Sequence, residues 1–245
     1  MRALPLGPIA AVTALVATLG VSHTLYQRHE AKAQQGALLR ERDALRDEVR
    51  APMAALVDKV ETWTVELGKD GFAAQPATEL PREDSLYLHL RLADAKSKGS
   101  VHAAAQLGVV DGLAGCLHPA QEMFAYGDLV AQSELLGDRF TKSVEASWDK
   151  LSLDAHAGTL ARHRDGHHAS LRAALGKAKV VVIALDEESG FVRVGVRRLE
   201  DGASLVRTRL SPSFTLVTVA GGPPSPLAKK QAEGCSVANL LLAAR

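Results

Sequence analysis

Between Ala3 and Gln27 the chain carries no Asp, Glu, Lys or Arg, and from Ala3 to Val21 it is strongly apolar. Leu4, Leu6, Ile9, Val12, Leu15, Val16, Leu19 and Val21 supply the apolar surface. A helix of about 20 residues spans a hydrocarbon layer about 30 Å thick, so residues 3–22 can enter a lipid bilayer. Pro5 and Pro8 fall in the first turns, where a missing N–H costs little. Tyr26 comes next, where an interfacial aromatic would sit. The competing reading is a cleaved leader, with Arg2 as its charged start and Ala31-Lys32-Ala33 as a small-x-small cleavage site. That site lies about ten residues beyond the apolar core, past His29 and Glu30, whereas cleavage normally falls close to the core. Residues 1–27 are therefore read as an uncleaved transmembrane anchor.

Orientation rests on two opposed signals. Only Arg2 precedes the run, while Arg28 and Lys32 stand close after it, and a plain count of basic residues would keep the remainder inside. The short leading segment is that of a bacterial signal anchor, which exports the rest of its chain, and export is the reading adopted. The chain is then a single-pass inner-membrane protein with its C-terminal domain in the periplasm or otherwise outside the cytoplasm. In that compartment Cys116 and Cys235, the only two cysteines, are expected to form a disulfide.

Residues 28–68 read as a helical or coiled-coil stalk. Leu38, Leu45, Val49, Met53, Leu56, Val60 and Trp63 recur at steps of three, four and seven, which makes one continuous apolar stripe. Pro52 should kink this helix or start a second one. The stripe could pair two copies of the chain, or pack on the chain's own domain as an ordinary amphipathic element. Gly68, Gly71, Pro76 and Pro81 mark a linker over 69–84.

Residues 85–245 read as an α+β domain: an antiparallel sheet of about four or five strands with helices on its one dry face. Ser85–Leu92 alternates, with Leu86, Leu88, Leu90 and Leu92 opposed to Tyr87, His89 and Arg91, the pattern of a half-buried strand. Val101–Ala120 reads as a short helix and a loop carrying Cys116. Leu136, Phe140, Val144, Trp148 and Leu151 predict one amphipathic helix, and Gly158–Leu175 a second. Val180–Leu185 is a central strand, and Asp186, Glu187 and Glu188 an acidic turn with no sign of burial. Phe191–Leu199 and Ala203–Leu210 form a hairpin. A three-residue loop with Gly202 in the left-handed position pairs Val196 with Val206 and Val192 with Leu210, which keeps one face dry. Phe214–Val219 is a further strand, Gly221-Gly222-Pro223-Pro224 a break, and Val237, Leu240, Leu241 and Ala244 the apolar face of a last helix.

Two clusters carry candidate chemistry. The preferred hairpin register gathers Arg193, Arg197, Arg207 and Arg209 on one face, where like charges repel and call for an anion, a lipid headgroup or carboxylates of the same chain. His163 and His167, with His156 and His168 nearby, stand four apart on a predicted helix and could reach one metal ion. Gly166 weakens that helix, and no H-E-x-x-H is present. No cofactor is indicated. With 29 Lys and Arg against 28 Asp and Glu, and 4% aromatic residues, the chain lacks the basic excess and the stacking platform of a nucleic-acid binder.

The order of anchor, stalk and small α+β domain is similar to the general plan of assembly and scaffold proteins of bacterial envelopes, by plan alone. The expected function is a membrane-anchored, non-enzymatic envelope scaffold with an envelope protein as partner and a homodimer through the stalk. The alternatives are an anion, lipid or small-ligand sensor using the basic sheet face, and a metal-dependent enzyme at the histidines.

Overall fold

The structure, a computed structural model, describes residues 6–69, 73–74, 84–107, 116, 123–134, 136–211, 234–235 and 238–239, without the side chains of 6–21, 23, 24, 123 and 134. The strand expected at Phe214–Val219, the break at Gly221 and most of the last helix lie outside these residues, as do the linker's Gly71, Pro76 and Pro81. So do the side chains of the apolar run. Among the described residues no helix is long and apolar enough to cross a membrane.

Helix α1 runs from Leu6 to Gly68, 63 residues. It continues through Pro52 and does not restart there. The chain forms two compact units, 1–47 with 136–166, and 48–135 with 167–245.

The first unit holds the first part of α1 with α4 (Asp138–Ala146) and α5 (Lys150–Arg162). Ala31, Leu38, Leu136, Phe140, Val144, Leu153 and Leu160 form its core, with Leu45 partly buried against them. The single helix expected over 136–151 is broken. Asp149 adopts an extended backbone and its carboxylate accepts from the Ser152 N–H at 2.8 Å, which caps α5 and fixes its start. Trp148 and Leu151, read as core, are consequently exposed.

The second unit is built on a five-stranded sheet in the order β2-β1-β3-β4-β5. The strands are β1 (Ser85–Arg91), β2 (Met123–Ala125), β3 (Val180–Asp186), β4 (Val192–Arg198) and β5 (Ser204–Leu210). The sheet is mixed, which corrects the antiparallel expectation. β1 is parallel to β2 and, over seven paired residues from Ser85↔Val180 to Arg91↔Asp186, to β3. Parallel neighbours need a long crossover. The chain between β1 and β3 supplies it, with α2 (Lys98–Gln106), α3 (Tyr126–Glu134) and α6 (Ala169–Lys177) belonging to this unit. A six-residue π-helical turn, His163–His168, precedes α6, so the helix expected from Gly158 is α5, the π turn and α6 in succession.

Helices cover the face bearing Leu86, Leu88, Leu90, Val181, Ile183 and Leu185. From α1 they receive Val49, Met53, Leu56, Val60, Trp63 and Leu67, so the stripe read as a stalk is used inside the chain. In β4 and β5 the same face carries the arginines. The helices therefore do not sit on the hairpin's valine face, contrary to the expectation from its alternation. Gly195 makes this possible: a Cβ there would meet Leu67 at 3.2 Å. The opposite face, with Val180, Val182, Ala184, Val192, Val194, Val196 and Val206, forms a second core with Tyr87, Cys116 and Ala238. β1 is thus buried on both faces, not one. The hairpin register matches the sequence reading, Val196↔Val206 and Val192↔Leu210, with a bulge after Val196 and Gly202 at φ 73°.

Candidate functional site

The carboxyl ends of β1 and β3 lie side by side, because the two strands are parallel and in full register. Ligands of α/β sheets bind at such ends. Here a cleft of about 890 Å³ opens, floored by Val65, Leu92 and Ala95 and edged by Lys69, Arg91 and Lys96. Asp186 to Ser189 close its far side.

Glu187 is the electrostatic centre of this edge. Its side chain is 8% exposed. It accepts from Arg193 Nε at 2.7 Å, from the Ser189 hydroxyl at 2.8 Å and from both Nε and an NH2 group of Arg209. The Arg209 bonds, with those of Arg193 and Ser189 after them, hold its carboxyl down at about 2, against the cost of burial. The acidic turn is thus a buried anion at its middle residue. Arg193 also donates to the carbonyls of Leu67, Gly68 and Lys69 at 3.4, 3.3 and 2.8 Å, satisfying the orphan acceptors that end α1.

The other arginines of the predicted face are equally engaged. Arg197 pairs with Glu66 at 2.8 Å and stacks 5.5 Å from the Trp63 ring centre. Arg209 also stacks 4.1 Å from that of Phe191. Arg207 lies on the same face, across from Gly195. The structure brings all four onto one surface, and carboxylates of the same chain compensate three of them.

The histidines separate. His156 lies edge-on to Phe140, with Ser147 Oγ 3.0 Å from its Nε2. His163 is buried and His167 exposed. His168, buried, donates to Glu48 at 2.9 Å, and this bond lowers the Glu48 pKa, with help from Arg172. Among the described residues no group of three His, Cys, Asp or Glu side chains could hold a metal ion.

Two polar clusters were missed by the sequence reading. His89 donates to Asp186 at 2.7 Å, and its ring is 6% exposed. Glu61, on α1, accepts from His102 Nδ1 at 2.7 Å and from the Tyr126 hydroxyl at 3.2 Å. Tyr126 is fully buried, and burial, then the Glu61 charge, raises its pKa. A buried glutamate on the apolar stripe of α1 was the available signal: Glu61 lies one residue from Val60 and two from Trp63. Cys116 and Cys235, 119 residues apart, are joined by a disulfide with a Cα–Cα distance of 5.1 Å.

No protein-family model, no curated protein and no solved structure matches the chain.

Proposed function

We propose that the chain is a non-enzymatic interaction module of the cell envelope, tethered by residues 3–22 and working outside the cytoplasm. One observation carries the reading: the uncharged run and the stripe that fills the sheet's core belong to one helix, Leu6–Gly68. A tether that continues into the core couples the folded unit to the bilayer without a linker. The Cys116–Cys235 bond supports the compartment, since such bonds persist where thiols are not kept reduced. Its function is to present a surface of the folded units to an envelope protein. Self-association through the stripe would require Val49, Met53, Leu56 and Val60 to leave their own core, so the tethered chain is expected to act as a single copy.

The test is carbonate extraction of membranes holding the full-length protein, with thiol alkylation before and after reduction. The chain is expected to stay in the membrane pellet and to take up alkylating reagent only after reduction. Release into the wash would end the tether reading, and alkylation without reductant would remove the chain from an oxidising compartment.

The cleft favours a second reading, an anion or small-ligand sensor. It differs from the sequence expectation in its place: Lys69, Arg91 and Lys96 edge it, whereas Arg193, Arg197 and Arg209 are held by Glu187 and Glu66. Calorimetric titration with inorganic phosphate should show binding that Lys69→Ala with Lys96→Ala abolishes; heat identical in wild type and double variant dismisses the sensor.

A further inference from the structure

The first unit carries an apolar corner whose position in the fold gives it a partner. α4 runs antiparallel to α1: Arg42 donates to Thr141 Oγ1 at 2.6 Å, and Gln35 donates to the carbonyls of Val144 and Ser147 at 3.2 and 2.6 Å. α5 runs parallel to α1: Gln34 bonds Asp154 at 3.0 Å, and further along Glu41 pairs with Arg164 at 2.9 Å. Hence the turn between α4 and α5, residues 147–149, lies at the end of this unit that faces the start of α1, toward the uncharged run.

That corner exposes what a soluble corner normally hides. Trp148 is 53% exposed and Leu151 82%. On α1, at the same end, Leu25 and Tyr26 are each 61% exposed. These are four of the five large apolar side chains left open to solvent among the described residues, and they gather at one end of one unit. Trp148 lines a cleft of about 610 Å³ with Gln27, Glu30 and Ala31 of α1. At about 1.5 Å per residue, Gln27 stands roughly 8 Å past residue 22, the end of a span of about 20 residues. The headgroup layer on each side of a bilayer is about 5–8 Å deep. Trp and Tyr favour that depth because one end of each ring is apolar and the other donates a hydrogen bond. Arg28, Lys32 and Lys150 add exposed basic groups at this level, beside Glu30 and Asp149.

We propose that the α4–α5 corner is a lipid-docking surface: Trp148 and Leu151 insert into the headgroup layer beside the point where α1 leaves the membrane, with Leu25 and Tyr26 completing the contact. The inference rests on the tether reading and adds to it a second contact, made by residues more than 120 positions later in the chain. This contact fixes which end of the three-helix unit faces the bilayer and limits its rotation about α1.

The experiment reconstitutes the full-length protein into vesicles of phosphatidylcholine and phosphatidylglycerol, with phosphatidylcholine brominated near the glycerol end of its acyl chains as quencher. The chain has two tryptophans, Trp63, which is buried in the sheet unit, and Trp148. Wild-type emission is expected to fall in brominated vesicles relative to unbrominated ones, and Trp148→Phe, a change at an exposed site, to lose that fall. Leu151→Lys should weaken the quenching while Trp148 is still present. Flotation of the same vesicles separates the two ideas. Protein that floats and resists carbonate but is not quenched by bromine, whether Trp148 is then open to aqueous acrylamide or shielded by a second protein copy, overturns the docking surface and leaves the tether standing. Protein that fails to float overturns both.

Discussion

Replacing Glu187 by alanine is expected to cost about 3 kcal/mol, the lower end of what breaking a buried ion pair costs when one charge is left uncompensated. Arg193 would be that charge: its side chain is 12% exposed, and Glu187 is its carboxylate partner at 2.7 Å. Arg209 would suffer less, being 44% exposed and able to turn to water. Glu187→Gln keeps the shape and one acceptor oxygen, and should fall between the two. Chemical denaturation monitored by far-ultraviolet circular dichroism gives both values. The pH dependence is a sharper readout. The carboxyl sits at about 2, below its ordinary 4.5. A depressed carboxylate adds stability that is complete above its unfolded pKa and drains away as pH falls through the folded one. Wild type should therefore lose stability between about pH 5 and pH 2, and Glu187→Ala should lose less over that window. The difference between the two curves is on the order of 2 kcal/mol, once solvent screening at Arg209 is allowed for. Parallel curves would mean that the arginines are not held by this residue.

The same residue shows why the sequence disclosed the hairpin but not its surroundings. The β4–β5 register came from local facts: Gly202 at the turn, valines on one face and arginines on the other. What lies over the arginines is not local. Glu66 and the carbonyl ends of α1 come from about 125–130 residues earlier, and no alternation within β4 encodes them. Leu67 reaches the sheet only because residue 195 is glycine, a detail that reads as a weak strand position until the helix is in place. β1 illustrates the converse. Its leucines were legible as a buried face, but His89 looked like a solvent residue until Asp186, on the neighbouring parallel strand, neutralised it. Pairing direction depends on the crossover, not on the strand's own pattern. In the first unit, one helix was read where there are two, because the spacing of Trp148 and Leu151 continued the stripe of Phe140 and Val144. The Asp149 cap overrides that spacing. β2, three residues long, lies below any periodicity.

The largest loss is expected from Trp63→Ala, about 3–5 kcal/mol, the range for truncating a packed tryptophan. Trp63 is 8% exposed and sits on α1 beneath the hairpin. Its ring lies 3.2 Å from where a side chain at Gly202 would begin, which is as close as the turn can approach. Around it, against Ile183, Gly195 and Val206, only about 20 Å³ is free. That is room for about one water, so the neighbours have little slack with which to close a cavity the size of an indole. Arg197 loses its aromatic support as well, although its pair with Glu66 remains. Trp63→Phe should recover much of the loss by filling most of the space. The measurement also decides between the two uses of the α1 stripe. A residue that only pairs copies of the chain would, on truncation, lower association and leave unimolecular stability within about 1 kcal/mol of wild type. A residue that closes the sheet's core weakens folding itself when truncated, independent of protein concentration. Concentration-independent destabilisation of several kcal/mol is the expected result, and its absence would return α1 to the role of a free stalk.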